Sequence, residues 1–327
     1  MTLRRFTKLM YLQKFFAEFN PIYPLYALMF TEVGGLSVTE ISWLFFIWFT
    51  AALLAEIPTG IVADKISRRY SSLIGRILLI GTFITWLMLP TFLGYAIGFV
   101  LWGIGFAFTS GATDSYIFDT LKKLGGEEAF TKLYARTHGI KMVGMFCGFA
   151  LGTILIPFGY QIILLTSIGI SLIVPAVLLL MPKDDQSHMA QRSQWSILCE
   201  ASTIIFSNTS ICLLATFLML IGGVIGFMEE YIALYYSWNG FDTQSVALIM
   251  TIGLLLAAAI ESIGHYFDTF HQSWLFGFVA FVSFVLFGTS FIFGWVAILG
   301  VYIFIRIIRL MDISLTARLH TMTDTGA

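Results

Sequence analysis

Stretches of about 20 residues almost free of charge recur along the whole 327-residue chain, and each is long enough to cross the hydrocarbon core of a bilayer as a helix. Ten such spans are expected, near 11–32, 40–63, 70–90, 92–121, 137–158, 160–181, 210–236, 243–267, 273–293 and 295–317. Gly34-Gly35, Pro90, Pro157-Phe158-Gly159 and Asn239-Gly240 punctuate them. With only 11% charged and 58% hydrophobic residues and a mean hydropathy of +0.88, a soluble core could not hide the apolar surface. The expected fold class is therefore an all-α integral membrane protein. The bilayer is its surroundings, and nucleic acid is excluded as a partner.

Basic residues Arg4, Arg5 and Lys8 precede the first span, but Glu18, Asn20, Pro21 and Pro24 interrupt it and no small-residue cleavage site follows. It reads as a retained helix, not a signal peptide. With the N-terminus inside, the inner connections are 64–69, 122–136, 182–194, 268–272 and the tail, and all but 268–272 carry Lys or Arg. The outer connections carry neither. This asymmetry predicts a multi-pass protein of the plasma (inner) membrane with a cytoplasmic N-terminus. The polar stretch from Pro182 to Gln194 divides the chain into a six-helix bundle (1–181), a cytoplasmic linker (182–196) and a partial second bundle of about four helices (197–327). A faint repeat supports the division: Ala27-Leu28, Gly35-Leu36, Gly60 and Asp64 fall opposite Ala233-Leu234, Gly240-Phe241, Gly264 and Asp268, with Glu56 near Glu261 in the same register.

Charges inside the spans are the candidate functional residues, because each costs about 2.5–3.5 kcal/mol at bilayer depth unless it is paired or lines a watery cavity. Glu56, Arg76 and Asp114 share a depth, about 8–12 Å from the inner ends of their spans at ~1.5 Å per residue. They are expected to form a cluster, acting either as neutralised glue between helices or as a proton or gating relay. Glu261, with Arg306 or Arg309, and Asp312 one turn after Arg309, is the expected counterpart in the second half, together with Asp268. Glu18, beside the Asn20-Pro21 break and with no cation near in sequence except Lys14, is a candidate for a substrate or proton cavity. Asn20, Glu229, Glu230 and Arg306 belong to the same expected set; Glu229 and Glu230, being adjacent, point in different directions. Gly139, Gly144, Gly148 and Gly152 give the fifth span a small-residue face for close packing. Cys147, Cys199 and Cys212 form no CxxC pair and have no His at zinc-ligand spacing, so no metal or cofactor is expected.

The most specific stretch joins the second and third spans: Gly60, three residues, Asp64, Lys65, then Arg68 and Arg69. Gly60 permits a close helix approach, and the two arginines offer forked donors for carboxylates or carbonyls. This stretch resembles the signature of the major facilitator superfamily, with Ser67 where the family usually has Gly. Glu56-Ile57-Pro58-Thr59 and the run from Ser110 to Leu121 resemble one prokaryotic branch of it, and the resemblance follows the whole chain in helix order. It implies a monomeric secondary transporter of small molecules working by alternating access between two pseudo-symmetric bundles, six helices plus four here. It also implies a latch in which Asp64 caps the eleventh helix of the family and Arg68 engages an acid near the end of the fourth, here Asp119. The chain ends at Ala327, before the family's last two helices, and a truncated product is the expectation. The fifth span lacks the Pro, and the fourth the Arg, of the family's drug/proton antiporters. The expected activity is proton-coupled efflux of amphipathic compounds. Two rivals are a non-transporting receptor or inactive fragment on the same fold, and an intramembrane enzyme, which lacks any GxSxG or HExxH motif here.

Overall fold

The computed structural model describes residues 1–65, 67–126, 130–183, 203, 209–262, 284, 288, 294, 296, 299–303 and 305, with backbone alone at 64, 65, 130–132, 135, 210, 211, 214, 221 and 258–262. The chain forms two compact units, Met1–Gln194 and Trp195–Ala327.

The first unit begins with α1 (Leu3–Glu18), which Thr2 caps by accepting from the Arg5 amide at 3.4 Å. The span expected over 11–32 is not one helix. The prolines at 21 and 24 remove backbone donors, so the chain turns over 19–25 before α2 (Tyr26–Glu32). Asn20 holds that turn: it is 2% exposed, its amide nitrogen donates to Ser171 Oγ at 3.3 Å, and its side-chain oxygen accepts from the Ile22 amide at 3.3 Å.

A capping box starts α3 (Val38–Lys65). Ser37 Oγ accepts from the Glu40 amide at 3.3 Å, while Glu40 Oε2 accepts from the Ser37 amide at 2.8 Å. The next helix, α4 (Arg68–Met88), is capped by Ser67 Oγ, which accepts from the Tyr70 amide at 3.1 Å. The span expected over 92–121 divides into α5 (Phe92–Thr109) and α6 (Ala112–Lys123). Gly111, at φ +64°, makes the bend, in a backbone region that disfavours a side chain. Then come α7 (Phe130–Leu155), a 3-10 turn (Ile156–Phe158), α8 (Tyr160–Ser171) and α9 (Ile173–Leu180).

Two buried clusters hold this unit. Tyr26, Phe30, Trp86, Tyr95 and Phe99 pack edge to face or tilted, the Phe30 and Tyr95 rings 4.3 Å apart, and the Trp86 indole donates to the Tyr95 carbonyl at 3.3 Å. Elsewhere Phe6, Met10, Tyr116, Ile117, Leu121, Val174 and Leu178 join α1, α6 and α9. Meanwhile Leu53 and Leu54 on α3 and Met88 on α4 are more than 70% exposed. Faces this apolar are suited to lipid, not to water.

Glycines set a close contact between α1 and α7. A Cβ on Gly144 would lie 2.3 Å from the Phe15 carbonyl, one on Gly148 2.6 Å from the Asn20 nitrogen, and one on Gly152 2.4 Å from the Pro21 carbonyl. So α7 presses its small-residue stripe onto the end of α1 and the proline turn. Gly139, expected on the same stripe, faces open space.

In the second unit, α10 (Thr209–Trp238) and α11 (Thr243–Ser262) are joined by a short turn with Gly240 at φ +90°. Asp242 begins α11, accepting from Ser245 Oγ at 2.5 Å. Tyr302 donates to the Gly253 carbonyl. Among the described residues, six helical spans are long and apolar enough to cross a membrane: Val38–Ala63, Arg68–Met88, Phe92–Lys123, Arg136–Phe158, Tyr160–Leu180 and Ala215–Trp238. The apolar part of α11, Thr243–Ala257, is shorter. The ninth expected span, except 284 and 288, and most of the tenth lie outside the described residues.

Candidate functional site

Two constellations of charge stand out in the first unit. The first surrounds the turn between α3 and α4. Arg68 Nη1 lies 2.5 Å from Asp119 Oδ2, tying the first turn of α4 to α6. Arg69, 5% exposed, turns the other way and donates through Nε to the Leu178 carbonyl at 2.8 Å and through Nη2 to the Leu179 carbonyl at 3.0 Å. These carbonyls belong to the last turn of α9, where acceptors run short of helical donors; Leu178 O also accepts from the Met181 amide at 3.2 Å, and Arg69 acts as a C-terminal cap for both. Tyr116, one turn before Asp119 on α6, donates to the Pro182 carbonyl at 2.7 Å. The motif thus braces α4, α6 and α9 at one end of the bundle. The side chains of Asp64 and Lys65 lie outside the described residues, and Gly60 sits half-buried on α3.

The second constellation lines a cavity of about 470 Å³ between α1, α3, α4, α5, α6 and α7. Lys14 and Glu18, one turn apart on α1, face into it with Arg76 of α4, Asp114 of α6 and Lys141 of α7. Lys14 Nζ lies 2.5 Å from Asp114 Oδ1, and Tyr134 donates to the other Asp114 oxygen at 3.2 Å. Burial first, and the Asp114 charge after it, push the Tyr134 hydroxyl above its ordinary pKa, so it stays a donor. Lys141 Nζ lies 3.3 Å from Glu18 Oε1. Aromatic rings form the opposite wall, with Tyr23 stacked on Trp102 at 5.5 Å and Trp48 5.4 Å from Trp102.

This geometry alters several sequence expectations. Arg76 and Asp114 share the cavity, but the carboxylate pairs with Lys14, whereas Arg76, among the described residues, reaches only the Ala17 carbonyl, at 3.4 Å. Glu56 stands apart, exposed on α3 and outside the cavity lining. Equal depth along helices does not place residues on the same side of them. Glu18 is not the unpaired acid expected, because the glycine stripe of α7 brings Lys141 against it. Asn20 lines no part of this cavity and serves the proline turn. Lys141 was legible as a lone cation inside the fifth expected span, flanked by Ile140 and Met142.

In the second unit, Glu229 and Glu230 sit half-buried on α10, and Glu261 lies in the last turn of α11 with only its backbone described. Asp268, Arg306, Arg309 and Asp312 lie outside the described residues. Among the described residues, no group of three or more His, Cys, Asp or Glu side chains is placed to hold a metal ion.

A multi-pass helical membrane protein, with an arginine-braced turn and a charged cavity in its first bundle, is the class that fold and site define. The family model for the Major Facilitator Superfamily matches residues 9–318, and the chain belongs to that family. No curated protein sequence matches it. Among solved structures it is similar to a D-xylose–proton symporter, at TM-score 0.72 and 13% identity over 99% of this chain and 88% of that one. It is also similar to the nucleoside transporter NupG, at TM-score 0.74 and 14% identity over 95% of this chain and 79% of that one. At such identity the likeness carries the fold alone.

Proposed function

We propose that this chain is a secondary active transporter of small amphipathic molecules, working by alternating access and driven by protons. The observation that carries the reading is the 470 Å³ cavity, which sets five charged side chains against a wall of aromatic rings between α1 and helices of membrane-spanning length. Charge at that depth is tolerated where it is paired or lines a route through the membrane, and a cavity of this size suits a small ligand. The family supports transport in general, and one structural neighbour is named as a proton symporter.

The Glu18–Lys141 pair is the coupling element in this proposal. Its charges meet across 3.3 Å at the junction of α1 and α7, so protonating Glu18 removes the attraction that joins the two helices. The Arg68–Asp119 tie and the Arg69 cap serve as the latch that holds one end of the bundle closed. Asp64 and Lys65 belong to that latch, and the protein works as a monomer in the plasma (inner) membrane with its N-terminus in the cytoplasm. Transport runs outward, exchanging an amphipathic compound for protons.

Flux of a fluorescent amphipathic compound in reconstituted vesicles tests this. An imposed pH gradient is expected to accelerate wild-type flux several-fold and to leave a Glu18→Gln variant unaffected. Flux that ignores the gradient in the wild type contradicts proton coupling, and no flux at all contradicts transport and favours a receptor on this fold.

A further inference from the structure

Three polar groups in the cavity wall lack a matching partner among the described residues. The only hydrogen bond of Arg76 is the 3.4 Å contact with the Ala17 carbonyl, while the Trp48 indole N–H and Gln13 Oε1 are buried and make none. Gln13 is itself 1% exposed. Native folds leave few buried polar atoms unsatisfied, and those that line a cavity of this size point to something that enters it. The charges point the same way. Lys14 is taken by Asp114 and Lys141 by Glu18, which leaves the third cation, Arg76, without a carboxylate among the described residues. Three cations against two acids leave one positive charge, and one negative charge on a ligand would balance it.

We infer that this cavity binds a ring-bearing organic monoanion, its carboxylate on Arg76 and its ring against Tyr23, Trp48 and Trp102. A guanidinium presents a flat fork of donors that matches a carboxylate, and its strength grows where water is excluded. Trp48 Nε1–H adds a donor beside the aromatic wall, and Gln13 Oε1 accepts from a hydroxyl or amide elsewhere on the ligand. Tyr23 and Trp102, already stacked at an interplanar angle of 25°, offer a flat surface for a planar group. A carboxylate-reading site of this kind discriminates by charge sign as well as by shape. The inference names the substrate class of the transporter proposed above and rests on that reading only for the step from binding to movement.

Titration of the full chain in detergent, read by tryptophan fluorescence and calorimetry, tests it with phenylpropionate, phenylpropanamide, phenylpropylamine and inorganic phosphate. The acid is expected to bind at least tenfold more tightly than the amide or the amine, and ring-free phosphate to bind more weakly than the acid. Arg76→Gln should lower affinity for the acid tenfold or more, and Arg76→Lys by less. Amide or amine binding as tight as the acid, no acid binding at millimolar concentration, or unchanged affinity in a folded Arg76→Gln protein overturns the inference. If that variant fails to fold, the wild-type series alone decides. Binding of the acid without vesicle transport would defeat the transporter reading and leave this one standing; transport of neutral and cationic compounds alone would do the reverse.

Discussion

Two neighbouring arginines illustrate how burial decides what a charge is worth. The side chain of Arg68 is 24% exposed and that of its partner Asp119 48%, so solvent screens their pair, and such pairs are typically worth about 0.2–1 kcal/mol. Arg69 is buried, and truncating it would strand the Leu179 carbonyl and leave Leu178 only its 3.2 Å bond from the Met181 amide, a loss of about 1–3 kcal/mol for the unsatisfied group. Arg69→Ala should therefore lower the thermal unfolding temperature in detergent clearly more than Arg68→Ala. Equal losses would contradict the capping role. The charge swap Arg68→Asp with Asp119→Arg should recover part of the transport lost in each single variant, measured as vesicle flux. Much of this was legible, because the spacing from Gly60 to Arg69 is read directly along the chain. The cavity pairs were not. Sequence gives the depth of a charge along a helix, but not its direction around the axis, where each residue turns about 100°. Glu56 and Lys14 show the consequence, since the first matches the depth of Asp114 yet faces away, and the second closes on it.

Among elements, the junction of α1 and α7 is closely packed, and the glycines of α7 separate two kinds of position. Gly148→Ala places a methyl 2.6 Å from the Asn20 backbone nitrogen, a contact that only backbone movement can relieve. It should cost about 1–3 kcal/mol, and because Lys141 lies on the same helix it should also loosen the pair with Glu18. Gly139→Ala, facing open space, should leave the unfolding temperature unchanged or slightly raised by the gain in helix propensity. Thermal denaturation of the two variants side by side checks both outcomes. The glycine periodicity announced a close-packed face in the sequence; its partner could not be read there. The partner is the end of α1 together with the turn that Pro21 and Pro24 make inside a stretch whose apolar character alone suggests continuous helix. Ser110-Gly111 bends the fourth span for a related reason: a single positive φ is a local event that hydropathy averages away.

For the whole molecule, membership of the Major Facilitator Superfamily sets the fold, and the first bundle supplies a cavity with its own charge balance. Alternating access requires that this cavity open to each side of the membrane in turn, a demand that static ion pairs between α1, α6 and α7 must yield to during the cycle. Side-dependent thiol labelling tests that claim most directly. With Cys147, Cys199 and Cys212 replaced by Ala, a Ser110→Cys variant carries one thiol in the cavity lining. In oriented membrane vesicles it should react with a membrane-impermeant maleimide applied from either side, and a bound ligand should slow both reactions. Labelling from one side alone, whatever the ligand or pH gradient, would contradict alternating access.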